Sequence, residues 1–102
     1  MVEHIILWKI KETYDEEKKQ QIMANAKKEL EGLKNKIDGI VDIEVIIEKL
    51  PSSNVDMMLK SKFISEEALN SYSKNPYHVA VADNYIRPFV SERNCIDFES
   101  DG

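Results

Sequence analysis

Tyr72 and His78 stand six residues apart in the stretch SYSKNPYHVAVADNYIRP, with Asn75-Pro76 between them. A histidine with an ordinary pKa near 6.5 is a suitable base at neutral pH. A tyrosine hydroxyl can donate to a carbonyl oxygen and stabilise a developing enolate. An aspartate bonded to the far imidazole nitrogen would fix the histidine tautomer. On one continuous helix, at about 100° per residue, residues six apart point about 120° away from each other. Tyr72 and His78 therefore converge only if the helix breaks between them. Asn75-Pro76 supplies that break, because the residue before a proline disfavours the helical region. Near the N-terminus, His4, Ile6 and Trp8 alternate along one face of a strand-like run. His4 would point into whatever cavity that face lines. Each residue also has a plainer use. A histidine after a proline can cap helix amides, an aromatic packs naturally on a short amphipathic helix, and a strand histidine can bond a backbone carbonyl.

Other chemistries have less support. Two histidines and Asp97 could ligate a metal, but there is no i, i+4 histidine pair and no Cys/His cluster, so no metal site is expected. Three glycines form no phosphate-binding loop, and Ser52 and Ser53 are turn residues without a nucleophile elbow. Cys95, the single cysteine, cannot form an internal disulfide and lies in a strand-like stretch. It is expected to be a packed thiol in a reducing cytoplasm. The formal charge of −5, with acidic residues spread along the chain, argues against nucleic acid, which wants a basic stripe. No apolar run approaches membrane-spanning length. The opening MVEHIILWKIKE lacks a small-residue cleavage site and reads as a strand rather than a signal peptide.

The elements that must position these residues follow from periodicity. Residues 3–11 are β-branched and aromatic and predict a strand. Thr13 and Glu16 predict a capping box at the start of a helix whose apolar stripe is Ile22, Met23, Ala26, Leu30, Leu33 and Ile37. Gly39 is expected to end it. Residues 40–50 alternate as a second strand, residues 51–54 form a loop, and residues 55–63 alternate as a third strand. Ser65 caps a short helix that breaks before Pro76. A second helical piece is expected over about 77–87, and residues 89–98 form the last strand. The order β-α-β-β-α-β predicts one α+β domain over residues 1–102. Its form is the ferredoxin-like split βαβ, a four-stranded antiparallel sheet with helices on one face.

The uncovered face of such a sheet is ordinarily polar. Here Ile5 and Leu7 oppose the His4–Ile10 row, and Ile40, Ile46, Met58 and Ile64 fall on nominally polar sides. Burying one such side chain gains about 1.5–3 kcal/mol, and several together make an adhesive patch. The expected solution is a homodimer formed through the open sheet face about a two-fold axis.

These patterns resemble the stress-responsive A/B barrel family, also called Dabb domains. The resemblance covers essentially the whole chain and is carried by HIILWKIK, TYDEEKKQQI, YSKNPYHVAVADNYIRPF and the closing IDFE. It implies a dimeric α/β barrel built from two ferredoxin-like units. Many members have no known activity. A plant branch includes a cofactor-independent polyketide cyclase that closes a ring by aldol condensation and then loses carbon dioxide. Its catalytic tyrosine and histidine match Tyr72 and His78, a histidine matching His4 lies in the same pocket, and an aspartate matching Asp97 supports the catalytic histidine. This chain departs from that branch at Asn75, where the branch has a histidine, and at Trp8 and Tyr77, where smaller residues leave room for an alkyl tail. The resulting expectation is a homodimeric module that binds a small apolar or polyketide-like ligand, or none, and needs no cofactor. His4, Ile6 and Trp8 would line the pocket. The enzymatic alternative is a lyase or cyclase with His78 as base, Tyr72 as acid and Asp97 in support.

Overall fold

The computed structural model describes residues 1–101. β1 (Val2–Ile10) is followed by α1 (Glu16–Glu31), β2 (Ile40–Ile46), β3 (Met57–Phe63), α2 (Glu66–Lys74), α3 (Pro76–Val81) and β4 (Val90–Glu99). The sheet order is β2-β3-β1-β4, and every neighbouring pair is antiparallel. This is the ferredoxin-like arrangement. β1 is central, and its burial alternates strictly, with Val2, His4, Ile6, Trp8 and Ile10 facing the helices. α1 brings Ile22, Met23, Ala26 and Leu30 onto that layer at helical spacing.

The ends of the elements differ from expectation in instructive ways. The cap of α1 is Asp15, whose carboxylate accepts from the Lys18 amide at 2.8 Å. The Thr13–Glu16 capping box does not form, because Asp15 takes up the extended capping conformation immediately before Glu16. The helix stops at Glu31 and tightens into a 3₁₀ turn over Gly32–Asn35, which keeps Leu33 and Ile37 in the core. Gly39 then reverses the chain with φ of +93°. A Cβ there would stand 2.8 Å from the Ala68 side chain, so both conformation and space call for glycine. β2 and β3 are shorter than their alternating patterns. The connection between them is held at its far end by Asp56, which accepts from the Ile10 amide at 2.7 Å and from the Lys49 ammonium at 2.6 Å.

The Asn75-Pro76 break is as sharp as its residues require. Asn75 is extended, closes α2 through its amide to the Tyr72 carbonyl, and caps α3 by accepting from the Tyr77 amide at 2.9 Å. Pro76 occupies the first turn of α3, where its missing amide costs nothing. The second helical piece changes character after Val81. Ala82–Ile86 form a π turn, closed by the Arg87 amide on the Ala82 carbonyl at 2.8 Å. The wider turn keeps Ala82 and Ile86 buried and turns Arg87 toward the sheet side.

β4 is an edge strand, and from Ser91 to Glu99 it is exposed on both faces. Cys95, expected to be packed, is exposed for that reason. No described helix is long and apolar enough to cross a membrane.

Candidate functional site

The break at Asn75-Pro76 folds α3 back across α2, and the Tyr72 and His78 rings meet with centroids 4.4 Å apart. Tyr72 is fully buried. Its ring also packs on Phe63 at 4.9 Å and on His4 at 6.4 Å. Burial pushes the phenol pKa up, so the hydroxyl keeps its proton at any ordinary pH.

His78 bonds through Nδ1 to the Ser73 carbonyl at 3.2 Å. A carbonyl only accepts, so Nδ1 carries the proton and Nε2 of the neutral ring is a free acceptor. Burial lowers the His78 pKa below its ordinary 6.5, the Ser73 carbonyl opposes this, and Arg87, His4 and Arg93 lower it further. The ring is therefore neutral at pH 7.

The resemblance placed Asp97 behind His78. In the structure Asp97 bonds His4 instead, its carboxylate accepting from Nδ1. The register decides this: His4 and Asp97 are cross-strand partners on β1 and β4, on the same face of the sheet. His78 is oriented by backbone rather than by a carboxylate.

These side chains surround a cavity of about 100 Å³ between sheet and helices. His4, Ile6, Trp8, Tyr72 and His78 all line it, together with Leu30, Leu59, Ile86, Arg87 and Arg93. Trp8 is 4% exposed but forms a wall and leaves the cavity open. Tyr77 lies outside it, 56% exposed, with the Lys36 ammonium 5.8 Å from its ring centre. It does not narrow the pocket, because at the position directly after Pro76 in α3 its side chain points to solvent. Asp97 lines a neighbouring groove with Val2, Leu69 and Phe98.

Two residues of the cavity lining, Trp8 and Tyr72, each carry a buried polar atom, Nε1 and the hydroxyl, that has no hydrogen-bond partner among the described residues. Buried polar groups are almost always paired, and leaving one unpaired costs about 1–3 kcal/mol.

Arg87 and Arg93 were not singled out from the sequence. Arg93 faces Trp8 across β1 and β4, and period-two alternation puts Arg93, Cys95 and Asp97 on one face of the last strand. That signal is readable only once the strand register is known. Arg87 depends on the π turn, which no local pattern announces.

The His4 Nδ1, Cys95 Sγ and Asp97 carboxylate lie within 4.8 Å of one another. Thiol and carboxylate both approach the same ring nitrogen, at 3.7 Å for the thiol. A nucleophilic triad would use opposite nitrogens of the histidine. Burial and Asp97 push the Cys95 pKa up, and Arg93 beside it opposes them. That neighbouring guanidinium also disfavours a metal cation at these donors.

Fold and site together define a ferredoxin-like α+β domain with a pocket enclosed between its sheet and its helices. The chain belongs to the Stress responsive A/B Barrel Domain (Dabb) family, whose model matches residues 2–100. No curated protein matches it. Among solved structures it is similar to a dimeric protein of unknown function with a ferredoxin-like fold from Bacteroides fragilis. The two share 30% identity at a TM-score of 0.91, over 97% of this chain and 95% of that one. It is similar in fold to a Dabb family protein from Mesorhizobium loti, with 22% identity, a TM-score of 0.75, and 99% and 97% of the two chains covered. It is also similar in fold to a hydroxynitrile lyase from Passiflora edulis, with 15% identity, a TM-score of 0.73, and 99% and 94% covered.

Proposed function

We propose that this protein is a homodimeric small-molecule-binding domain whose ligand sits in the cavity between β1 and the helical pieces α2 and α3. The observation that carries the reading is that two residues lining one cavity, Trp8 and Tyr72, each hold a buried polar atom without a partner. A site kept for packing alone would not hold two such groups at this cost. Dimer formation is supported by the open sheet face, where Ile46, Ile96 and Phe98 are exposed beside half-buried Ile5, Leu7 and Met58. It is supported also by the dimeric relative from Bacteroides fragilis. A reducing cytoplasm suits the single exposed thiol.

A second reading, a cofactor-independent lyase or cyclase, is favoured by one feature. His78 is neutral, its tautomer is fixed by Ser73, and it touches a protonated Tyr72. Nε2 would remove a proton from a substrate carbon or hydroxyl while the Tyr72 hydroxyl donates to the developing oxyanion. That a fold neighbour is a hydroxynitrile lyase agrees with this chemistry.

The chain has one tryptophan, so its indole N–H is a single resonance in a ¹⁵N-correlated spectrum. A mixed set of neutral, anionic and cationic fragments of a few carbons should contain members that shift this resonance saturably. A complete set that leaves it unmoved would rule the binding pocket out.

A further inference from the structure

The polar lining of the cavity is one-sided. Its polar residues are His4, Trp8, Tyr72, Ser73, His78, Arg87 and Arg93, and no aspartate or glutamate lines it. This holds in a chain with 19 acidic residues against 14 lysines and arginines. The Asp97 carboxylate, on the same face of β4 as Arg93, is engaged by His4. Arg87 is held by Asp83. Arg93 makes no ion pair among the described residues. It sits across from Trp8 at the β4 edge, where no helix covers it.

The unpartnered atoms give the same polarity. An indole N–H can only donate, so whatever satisfies Trp8 must be an acceptor. A phenol that keeps its proton offers a second donor. Two buried donors on residues that line one space, with a guanidinium in no ion pair beside them, match a carboxylate, whose two oxygens accept several hydrogen bonds. The rest of the wall is hydrocarbon, including Leu30, Leu59 and Ile86, which a bare inorganic anion would leave unmatched. The cavity is small, about 100 Å³, so the occupant has only a few carbons.

Resting on the pocket reading above, we propose that the ligand is a small carboxylate. Its anionic head meets Trp8, Tyr72 and Arg93, and its short apolar body lies against Leu30, Leu59 and Ile86.

The test titrates ¹⁵N-labelled protein at pH 7 with isobutyrate, its isosteres isobutyramide and isobutanol, and sulfate, reading the Trp8 indole resonance. Isobutyrate is expected to saturate, with the amide and the alcohol weaker by about tenfold or more, the loss of one charge-assisted hydrogen bond, and sulfate weaker because it leaves the apolar wall unmatched. Arg93→Gln, on an exposed strand edge, should keep the spectrum of the folded protein, weaken isobutyrate about tenfold and leave isobutyramide unchanged. Equal titration by isobutyrate and isobutyramide overturns the charge preference while the pocket reading stands. Sulfate binding as tightly as isobutyrate, or Arg93→Gln without effect on isobutyrate, overturns it as well. No movement with any of the four probes also overturns it. Whether the pocket reading falls too is then decided by the broader fragment set.

Discussion

Tyr72 is the residue on which stability and function pull apart. Its ring packs on Phe63 and His78, but its hydroxyl is buried without a partner. Removing only the oxygen keeps the packing and deletes the unpaired group, which costs about 1–3 kcal/mol. Tyr72→Phe should therefore melt higher than the parent, by about 4–8 °C for each kcal/mol recovered, as expected of a side chain kept for a ligand. A lower melting temperature, read by circular dichroism at fixed protomer concentration, would mean that the hydroxyl is already satisfied. His78 supplies a pH signature. Its folded-state pKa lies below the ordinary 6.5 because of burial, so between the two values the unfolded chain binds more protons than the native one. Stability then falls as pH is lowered through 6.5 and levels off below the folded pKa. His78→Gln should flatten the decline in melting temperature between pH 7 and pH 5. Parallel curves for variant and parent would show that the ring is not desolvated.

At the scale of elements, the site is a consequence of interruptions. α2 and α3 are separated by one extended residue, Asn75, which closes one helix and caps the next. An unbroken helix would point Tyr72 and His78 apart. The π turn after α3 then places Arg87 at the cavity. The reversal at Gly39 locks the other side of the fold, its backbone lying against Ala68 on α2. Gly39→Ala combines a left-handed backbone with a contact of 2.8 Å, and such strain costs about 1–3 kcal/mol. A drop of several degrees in melting temperature is expected, and an unchanged value would contradict the tight approach of α2. The breaks at Pro76 and Gly39 are legible in the sequence because proline and glycine carry their backbone restrictions with them. The 3₁₀ and π turns are not, since they arise where a helix adjusts to keep Leu33 or Ile86 in the core.

For the whole molecule, the outer face of the sheet is the main unsettled surface. Ile5 lies beside Ile96, and Leu7 beside Met58, which in turn pairs with Ile46. The same face carries cross-strand neighbours of opposite charge, Lys60 beside Glu44 and Lys62 beside Asp42. A second copy would bury the band and leave the cavity on the opposite face of the sheet open. Sedimentation at micromolar concentration should give twice the 11.8 kDa protomer mass. Leu7→Glu should give the protomer mass, because a carboxylate at the centre of the band would have to be buried without a partner. A parent that sediments as a monomer would refute the dimer.

The amino-acid sequence alone determined the order of strands and helices, the buried face of β1, the break before Pro76 and the apolar residues Ile5, Leu7, Ile46 and Met58 on the outer face, but not that Ile40 packs on the core. Each follows from local periodicity or from the backbone chemistry of single residues. Only the tertiary structure decided that Asp97 serves His4 rather than His78, that Cys95 is exposed, and that Tyr77 points away from the site. It also decided that Trp8 walls the cavity without filling it, and that Arg93 lines it. Those outcomes depend on the register between β1 and β4 and on where the helices end above the sheet. Both are set by packing between residues up to 97 positions apart, which no local pattern encodes.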